Sequence, residues 1–258
     1  MQIKILGCSG GIGDSLRTTS MLVDDDILID AGTGVGDLSM EALLKIDHIF
    51  ITHTHLDHIA FIPLLLDTVM GFREKPVIVY ATAENLTVLR EHIFNWKIWP
   101  DFNQIPDAAN PLLQYEAIDL GKPISLNGRT ITALPANHVV PAVGYHVQHG
   151  DASLVFTGDT TESDALWQAV NTIKHLKYLI IETAFSNSEY ALAKLSKHLC
   201  PSMLVTELAK LDVSDHAQPI VYITHLKPGE AEKIMQEIGE SHIPFATHAL
   251  QAQQVFNL

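Results

Sequence analysis

The order of strands and helices along this chain predicts an α/β fold, a four-layer αββα sandwich in which helices cover the outer faces of two sheets. Two observations lead to this fold. Short runs rich in Ile and Val, separated by polar residues or by Gly and Pro, dominate the first half and indicate strands. Alternating strand and helix patterns follow in the second half. Two sheets packed face to face, with helices outside, accommodate both patterns.

The individual elements follow in chain order. The predicted strands cover residues 3–6, 20–23, 27–29, 48–51, 77–80, 115–118, 130–134, 143–147, 154–157, 178–181 and 220–223. The predicted helices cover residues 36–45, 59–70, 84–95, 163–174, 188–198, 201–211 and 229–238. Because no long linker, repeat or low-complexity tract interrupts them, we expect a single domain over residues 1–258. Residues 70–114 are the least regular part and a candidate lid.

Composition limits the classes of function. The net charge of −14, from 16 basic and 30 acidic residues, argues against a large nucleic-acid partner, because clusters of Lys and Arg bind phosphate backbones. No apolar run reaches the roughly 20 residues of a membrane span, and the N-terminus has a strand pattern rather than that of a signal peptide. The two cysteines form no CxxC pair. We therefore expect a cytoplasmic protein that does not act at a membrane.

Three histidines and one aspartate follow the predicted strand at 48–51. His53, His55, Asp57 and His58 lie within six positions, and imidazole and carboxylate are the ligands that divalent transition metals take from proteins. His53 and His55 point the same way from an extended segment, whereas Asp57 and His58 follow a turn and can face a second ion. Single histidines are usually structural, but burying all four groups unpaired would be costly. The run predicts a two-metal hydrolytic site.

Three later residues each lie just past an apolar strand. They are His138, Asp159 and His225. Strand ends at one edge of a sheet converge in space, so these residues can complete the site, although each alone also fits an ordinary histidine or a turn aspartate. Asp30 follows the strand at 27–29 and has two interpretations. It is either a turn or helix-capping residue or a carboxylate that holds a metal ligand in place.

Five sequence blocks resemble those of the metallo-β-lactamase fold hydrolases and occur in the same order. They are His53-x-His55-x-Asp57-His58, the Leu-Ile-Asp-Ala-Gly at 28–32, His138, the Thr-Gly-Asp at 157–159 and the Thr-His at 224–225. The resemblance implies one ion held by His53, His55 and His138. It implies a second ion held by Asp57, His58 and His225, with Asp159 bridging the two. Zn²⁺ is the expected metal of this histidine-rich site, and Mn²⁺ or Fe²⁺ would also fit.

Four segments are similar to the class II cyclic-nucleotide phosphodiesterases within that superfamily, at 53–59, 98–102, 196–199 and 224–228. Two positions depart from that family. Phe61 stands where it has a small residue, and Leu66-Asp67 stands where it has Ser-Ala or Ser-Pro. The resemblance implies a metal-dependent phosphodiesterase that hydrolyses 3′,5′-cyclic nucleotides, cAMP or cGMP, to 5′-monophosphates. A hydroxide shared by the two ions would be the nucleophile.

Glu182 and His198 are candidates for protonating the leaving oxygen. Glu182 lies at a strand end like the candidate ligands, and His198 lies in a Ser-Lys-His-Leu segment. A carboxylate that orients an imidazole is a common general-acid arrangement, and a similar pair serves the tRNA 3′-end nucleases of the superfamily. The alternative is a surface histidine stabilised by a helix end. With Asp57, this pair makes up the candidate catalytic residues.

Two other functions are compatible with the sequence. One is a different hydrolysis on the same metals, by a tRNA 3′-end nuclease or a thioester or lactam hydrolase, although the chain lacks the basic surface or Gly/Pro/Lys-rich arm of such a nuclease. The other is a nucleotide-binding protein without catalysis. The expected partner is a small cyclic nucleotide. Trp96, Trp99 and Phe102 either stack on its base or, at helical spacing, belong to the core or to a homodimer contact.

Overall fold

The computed structural model of the protein describes residues 1–213 and 218–258, which form two mixed β-sheets with helices on the outer face of each. The strands are β1 (Gln2–Gly7), β2 (Ser20–Val23), β3 (Ile27–Ala31), β4 (His48–Phe50), β5 (Val77–Ala81), β6 (Pro106–Asp107), β7 (Asn110–Pro111), β8 (Leu113–Ala117), β9 (Pro123–Leu126), β10 (Arg129–Pro135), β11 (Val143–His149), β12 (Ala152–Phe156), β13 (Leu176–Glu182), β14 (Ile220–Thr224), β15 (Thr247–Ala249) and β16 (Val255–Asn257). The α-helices are α1 (Met40–Leu43), α2 (Leu56–Ile59), α3 (Phe61–Val69), α4 (Ala83–Val88), α5 (Asp164–Val170), α6 (Tyr190–Ser196), α7 (Pro201–Leu208) and α8 (Ala231–Glu240).

Each large sheet has an antiparallel part and a parallel part. The first sheet has the order β16-β1-β2-β3-β4-β5-β8, and its strands are parallel from β3 to β8. The second has the order β15-β14-β13-β12-β11-β10-β9, and its strands are parallel from β12 to β15. Parallel neighbours need crossover connections, which here contain the helices. The carboxyl ends of the parallel strands therefore share one edge of each sheet.

The core between the two sheets contains aromatic side chains from both. Phe50 stacks on Tyr80 with ring centroids 4.3 Å apart and contacts Tyr145 of the other sheet edge-on at 5.7 Å. The Tyr145 hydroxyl donates a hydrogen bond to the carbonyl oxygen of Ile51 at 2.7 Å, just before the histidine run. Two further apolar clusters fill the space between each sheet and its outer helices. The predicted αββα sandwich is confirmed.

All eleven predicted strands are present, with ends within two residues of the predicted positions. The strands that were not predicted are β6, β7, β9, β15 and β16, which are two to four residues long. The single helix predicted at 36–45 is wrong. A 3-10 helix at Thr33–Asp37 and the short α1 replace it, because the Ser39 side chain accepts a hydrogen bond from the Ala42 N–H and starts a new helix. Within the described ranges, the helices are too short or too polar to span a bilayer.

Candidate metal centre

The candidate ligands meet at one edge of the sheets, where polar loops follow buried strands. His53 lies three residues beyond β4, Asp159 lies three residues beyond β12, and His225 directly follows β14. His55 is the residue directly before α2, and Asp57 and His58 lie within that short helix. Strands from both sheets therefore contribute to one site.

Two glycines allow the loops around the site to approach closely. The Gly10 N–H donates a hydrogen bond to the Leu226 carbonyl oxygen at 3.0 Å, and a β-carbon on Gly10 would lie 2.5 Å from the His225 carbonyl oxygen. A β-carbon on Gly32 would lie 2.3 Å from the carbonyl oxygen of Asp57. Any other residue at these positions would displace a segment that carries a candidate ligand.

Three imidazole nitrogen atoms of a first group face one another. His55 Nδ1 lies 3.1 Å from His53 Nε2 and 3.2 Å from His138 Nε2. Asp159 Oδ2 lies 3.7 Å from His53 Nε2. Ligand atoms around a tetrahedral zinc ion, with Zn–N distances of about 2.0–2.1 Å, are about 3.3 Å apart. The spacing of these four side chains therefore fits a shared cation.

Asp57, His58 and His225 form a second group, and Asp159 lies between the two groups. His58 Nε2 is 3.8 Å from Asp57 Oδ2 and 3.4 Å from Asp159 Oδ2. His225 Nε2 is 3.8 Å from Asp57 Oδ2, and His225 Nδ1 is 3.3 Å from Asp159 Oδ1. Candidate ligand atoms within each group lie within 4.8 Å of one another. The Asp159 carboxylate can therefore serve both groups, as a bridging ligand must.

Two buried nitrogen atoms of the cluster, His58 Nε2 and His225 Nδ1, have no hydrogen-bond partner. A buried polar atom without a partner costs about 1–3 kcal/mol, so these atoms indicate a ligand of another kind. A divalent cation satisfies imidazole nitrogen atoms beside a carboxylate. The nitrogen and oxygen donor set suits zinc and also manganese or iron. The residues present thus fit a divalent-metal site.

Burial keeps most of these imidazoles neutral, which metal binding requires. It lowers the pKa of His138 to about 4 and that of His225 to about 3, and it also lowers the pKa of His53 and His55. Burial alone would raise the pKa of Asp159, but the neighbouring imidazoles outweigh burial and hold that pKa well below its usual value. At neutral pH the first group presents neutral nitrogen atoms and an ionised carboxylate.

His58 differs from the other imidazoles because two carboxylates flank it. Burial lowers its pKa, but Asp159 and Asp30 outweigh burial and raise the pKa well above its ordinary value. Asp30 is fully buried, lies 2.7 Å from His58 Nδ1 and accepts hydrogen bonds from the Thr52 N–H and hydroxyl at 2.8 Å each. This contact keeps the hydrogen on Nδ1 and leaves Nε2 facing Asp159, where a cation can take the place of a proton. The contacts support the interpretation of Asp30 as a carboxylate that holds a ligand.

Glu182 and His198 form the expected pair beside the cluster. Glu182 is fully buried at the end of β13, and its Oε1 lies 2.7 Å from His198 Nδ1. Two backbone N–H groups also donate to the carboxylate, at 3.1 and 3.2 Å. The His198 ring lies 4.9 Å from the His138 ring and 5.2 Å from the His225 ring. Burial lowers the pKa of His198, but Glu182 outweighs burial and raises it above its ordinary value.

The three aromatic residues noted in the sequence do not form one cluster. Phe102 is buried in the core of the first sheet, whereas Trp96 is 64% exposed. The helical spacing predicted for Trp96 and Trp99 is wrong, because α4 gives way to a single π-helical turn at Leu89–Ile93 and Trp96 has a φ of +63°. Trp99 packs partly buried against the core.

An apolar groove of about 270 Å³ runs along the chain segment that follows His55. It is lined by Leu56, Ile59, Ala60, Pro63, Leu64, Ile93, Ile98 and Trp99. Leu56 stands between His55 and Asp57 in the chain, and Ile59 follows His58, so the groove lies along the segment that carries these three candidate ligands. Ile93, Ile98 and Trp99, from the candidate lid, also line this groove.

Sequence reasoning did not single out Thr52 and Lys197, which both contact candidate ligands. The Thr52 hydroxyl lies 3.1 Å from His53 Nδ1, and the Lys197 carbonyl oxygen lies 3.0 Å from His138 Nδ1. The position of Thr52 between the predicted strand and His53 could have indicated its role. Lys197 gave no such signal, because a lysine near a helix C-terminus is common for electrostatic reasons alone.

Comparisons with known proteins agree with this architecture. The beta-lactamase superfamily domain matches residues 25–248. The probable 3′,5′-cyclic-nucleotide phosphodiesterase of Yersinia pestis is 26% identical over 274 residues, covering 88% of this chain and 78% of that protein. Ribonuclease Z of Mycobacterium sp. (strain KMS) is 30% identical over 195 residues, covering 68% of each. The crystal structure of unliganded yeast PDE1 has a TM-score of 0.83 at 19% identity, covering 100% of this chain and 99% of that one.

The superfamily match spans most of the chain, so this protein belongs to the beta-lactamase superfamily. It is a hydrolase with the metallo-β-lactamase fold, and the family expected from its sequence blocks is confirmed. The yeast structure, at 19% identity, supports the fold alone.

Proposed function

We propose that the protein is a metal-dependent phosphodiesterase that hydrolyses 3′,5′-cyclic nucleotides to 5′-monophosphates. The Glu182–His198 pair beside the ligand cluster carries the phosphodiesterase part of this proposal. The 3′-oxygen of a nucleotide is a poor leaving group, so a positioned acid must protonate it as its bond to phosphorus breaks. A thiolate leaves a thioester without that help. The Yersinia pestis relative is named for cyclic-nucleotide hydrolysis, which supports the choice of substrate.

The cluster supplies a ligand set for two ions, for which we propose zinc. The ligands are His53, His55 and His138 for one ion, Asp57, His58 and His225 for the other, and Asp159 for both. When bound, such ions lower the pKa of water towards about 7 and offset the charge of the phosphate oxygens.

The remaining chemistry belongs to side chains. Water loses a proton as its oxygen forms the new bond to phosphorus, the bond from phosphorus to the 3′-oxygen breaks, and His198 gives its own proton to that oxygen; the proton released by water then restores His198. Glu182 keeps the His198 Nδ1 protonated and holds the ring, so that Nε2 carries the transferable proton. The Asp57 side chain is 28% exposed, against 3% for Asp159. Asp57 therefore lies on the more open side, where it can orient the attacking water.

The apolar groove is the proposed place for the nucleobase. Leu56, which lines the groove, lies between two of the proposed ligands in the chain, and we propose that a base occupies the groove while the phosphate lies at the cluster. Stacking of a base on an aromatic side chain such as Trp99 contributes roughly 1–3 kcal/mol in single-strand binders. Because the lining is apolar, we expect little discrimination between adenine and guanine, and thus similar KM values for cAMP and cGMP.

A second candidate is the cleavage of tRNA 3′ ends already considered from the sequence, and the relative named ribonuclease Z supports action on RNA. That protein and this chain share 30% identity over 68% of each. The net charge of −14 weighs against it, because a tRNA backbone is bound through positive charge.

Residues of the middle segment also support a homodimer. We propose that a dimer contact covers Phe72 and Trp96, which are 71% and 64% exposed. Light scattering should give twice the 28.4-kDa mass of the chain. Trp96→Ser should shift the equilibrium towards the monomer, and a parent protein that is monomeric at high concentration would refute the dimer.

A substrate panel tests the proposed function. Metal-loaded protein is assayed with cAMP, cGMP, bis(p-nitrophenyl) phosphate, a tRNA precursor with a 3′ trailer, and a thioester. We expect kcat/KM for the cyclic nucleotides to exceed that for the generic diester by at least about 100-fold, a difference that binding and orientation of the nucleoside can supply. Cyclic nucleotides left intact would refute the proposal, and cleavage of the tRNA precursor in their place would establish the second candidate.

A further inference from the structure

Helix α6 ends at a residue with an unusual backbone conformation. Lys197 follows the helix with φ 53° and ψ 50°, in the left-handed region. Glycine is the usual residue at such a position because it has no β-carbon, and asparagine comes next. A lysine here needs a reason beyond ending the helix.

Both ends of Lys197 bind the segment that carries His138. Its carbonyl oxygen accepts a hydrogen bond from His138 Nδ1 at 3.0 Å. Its Nζ donates to the Asn137 side-chain oxygen and to the His138 carbonyl oxygen, each at 3.1 Å. The ammonium therefore holds the backbone of residues 137–138 while the carbonyl group holds the ring of His138.

The same residue stands next to His198. The His198 ring lies 4.9 Å from the His138 ring, and its Nδ1 contacts Glu182. The left-handed turn at Lys197 thus brings a candidate metal ligand and the candidate proton donor together from two separate loops.

We propose that Lys197 is a positioning residue whose ammonium holds the backbone of residues 137–138 and thereby keeps the ring of His138 in place for metal binding. The contact of Nδ1 with the Lys197 carbonyl keeps the hydrogen on that nitrogen. His138 Nε2 then faces His55 Nδ1 at 3.2 Å with its lone pair free for the ion. This inference rests on the metal centre of the proposed function and is independent of the substrate.

Lys197→Gly distinguishes the positioning of His138 from the other role of this residue, which is to end helix α6. Glycine accepts the left-handed conformation more readily than lysine, which offsets the hydrogen bonds lost with the ammonium, so the melting temperature of the metal-free protein should stay close to that of the parent. The variant lacks the ammonium, so the loop at 137–138 loses its two hydrogen bonds. We expect the affinity for Zn²⁺ to fall about 10–100-fold, the usual effect of removing a group that orients a ligand.

The control is Lys194→Gly, one turn earlier in the same helix, where the ammonium lies over the Tyr190 ring. It should lower the melting temperature, because glycine disfavours a helix interior, and leave the Zn²⁺ affinity unchanged. Affinities are measured by competition with a chromophoric chelator, and melting temperatures are measured on metal-free protein.

Unchanged Zn²⁺ affinity in Lys197→Gly would overturn the proposal. A loss of affinity accompanied by a fall in the metal-free melting temperature as large as that of Lys194→Gly would also overturn it, because the role would then be structural. If the parent protein binds Zn²⁺ but leaves cyclic nucleotides intact, the proposed function fails while this test still decides the role of Lys197.

Discussion

Asp30→Asn is the substitution that tests most sharply how the fold prepares the metal centre. Asp30 is fully buried and has three hydrogen-bond contacts, to the N–H and hydroxyl of Thr52 and to His58 Nδ1, at 2.7 to 2.8 Å. An asparagine of the same size keeps one acceptor oxygen, which can still serve the Thr52 N–H. Its amide group cannot accept from His58 Nδ1, so the ring either loses a partner or moves its hydrogen to Nε2, the atom that faces Asp159.

These contacts give the expected losses of unfolding free energy and of Zn²⁺ affinity in Asp30→Asn. One buried donor left without a partner costs about 1–3 kcal/mol of unfolding free energy. Burial already raises the pKa of Asp30, which means that holding its charge there is itself costly, so the loss should lie at the lower end. Because the lone pair on His58 Nε2 is then no longer held towards the ion, Zn²⁺ affinity should fall about 10–100-fold.

Urea unfolding of metal-free protein and chelator competition measure the two effects separately. The matched control is Asp26→Asn, which breaks an ion pair with Arg129 just before the same strand. That substitution should lower the unfolding free energy without changing Zn²⁺ affinity. Parent-like metal affinity in Asp30→Asn, or an equal loss of affinity in Asp26→Asn, would refute the role of Asp30.

Three further predictions address the chemistry and the pH dependence. His198→Ala should slow cAMP hydrolysis by about 10²–10⁴-fold but leave cleavage of bis(p-nitrophenyl) phosphate nearly unchanged, because p-nitrophenolate leaves without a proton; equal losses on both substrates would contradict the acid role. Glu182 raises the pKa of His198, so Glu182→Gln should move the alkaline limb of the kcat/KM profile for cAMP to lower pH, and an unmoved limb would show that His198 is not the titrating acid. Burial lowers the pKa of His138 from 6.5 to about 4. The unfolded chain therefore takes up a proton before the folded one, so His138 alone should lower the unfolding free energy of metal-free protein by about 3 kcal/mol between pH 6.5 and pH 4, and the lowered pKa of His225 acts in the same direction; flat stability across that window in urea titrations would contradict the buried neutral state.

The strands and the candidate ligands could be predicted from the sequence because each signal is local. Buried parallel strands such as β4 are continuous apolar runs, and the spacing of His53, His55, Asp57 and His58 limits which of them can share an ion. The short edge strands β9, β15 and β16 were missed because their own sequences carry no strand pattern. β15 is three residues of Thr-His-Ala, and pairing with β14 rather than its own pattern makes it a strand.

The contacts that orient the candidate ligands join residues far apart in the chain, so no local sequence pattern predicts them. The Lys197 contact joins residues 59 positions apart in the chain, and its left-handed conformation contradicts the usual preference of lysine. The placement of Trp96 was missed because its spacing from Trp99 fits a helix, whereas the chain leaves helical geometry after Ile93.

Stepwise reconstitution with zinc tests the central claim most directly. Metal-free protein receives increasing equivalents of Zn²⁺, and the products of cAMP are separated at each step. A centre of two ions with Glu182 and His198 beside it predicts that 5′-AMP alone is released, that turnover reaches its maximum near two bound ions, and that chelation abolishes it. No cAMP turnover with two ions bound, or full turnover after the metal is removed, would contradict the account.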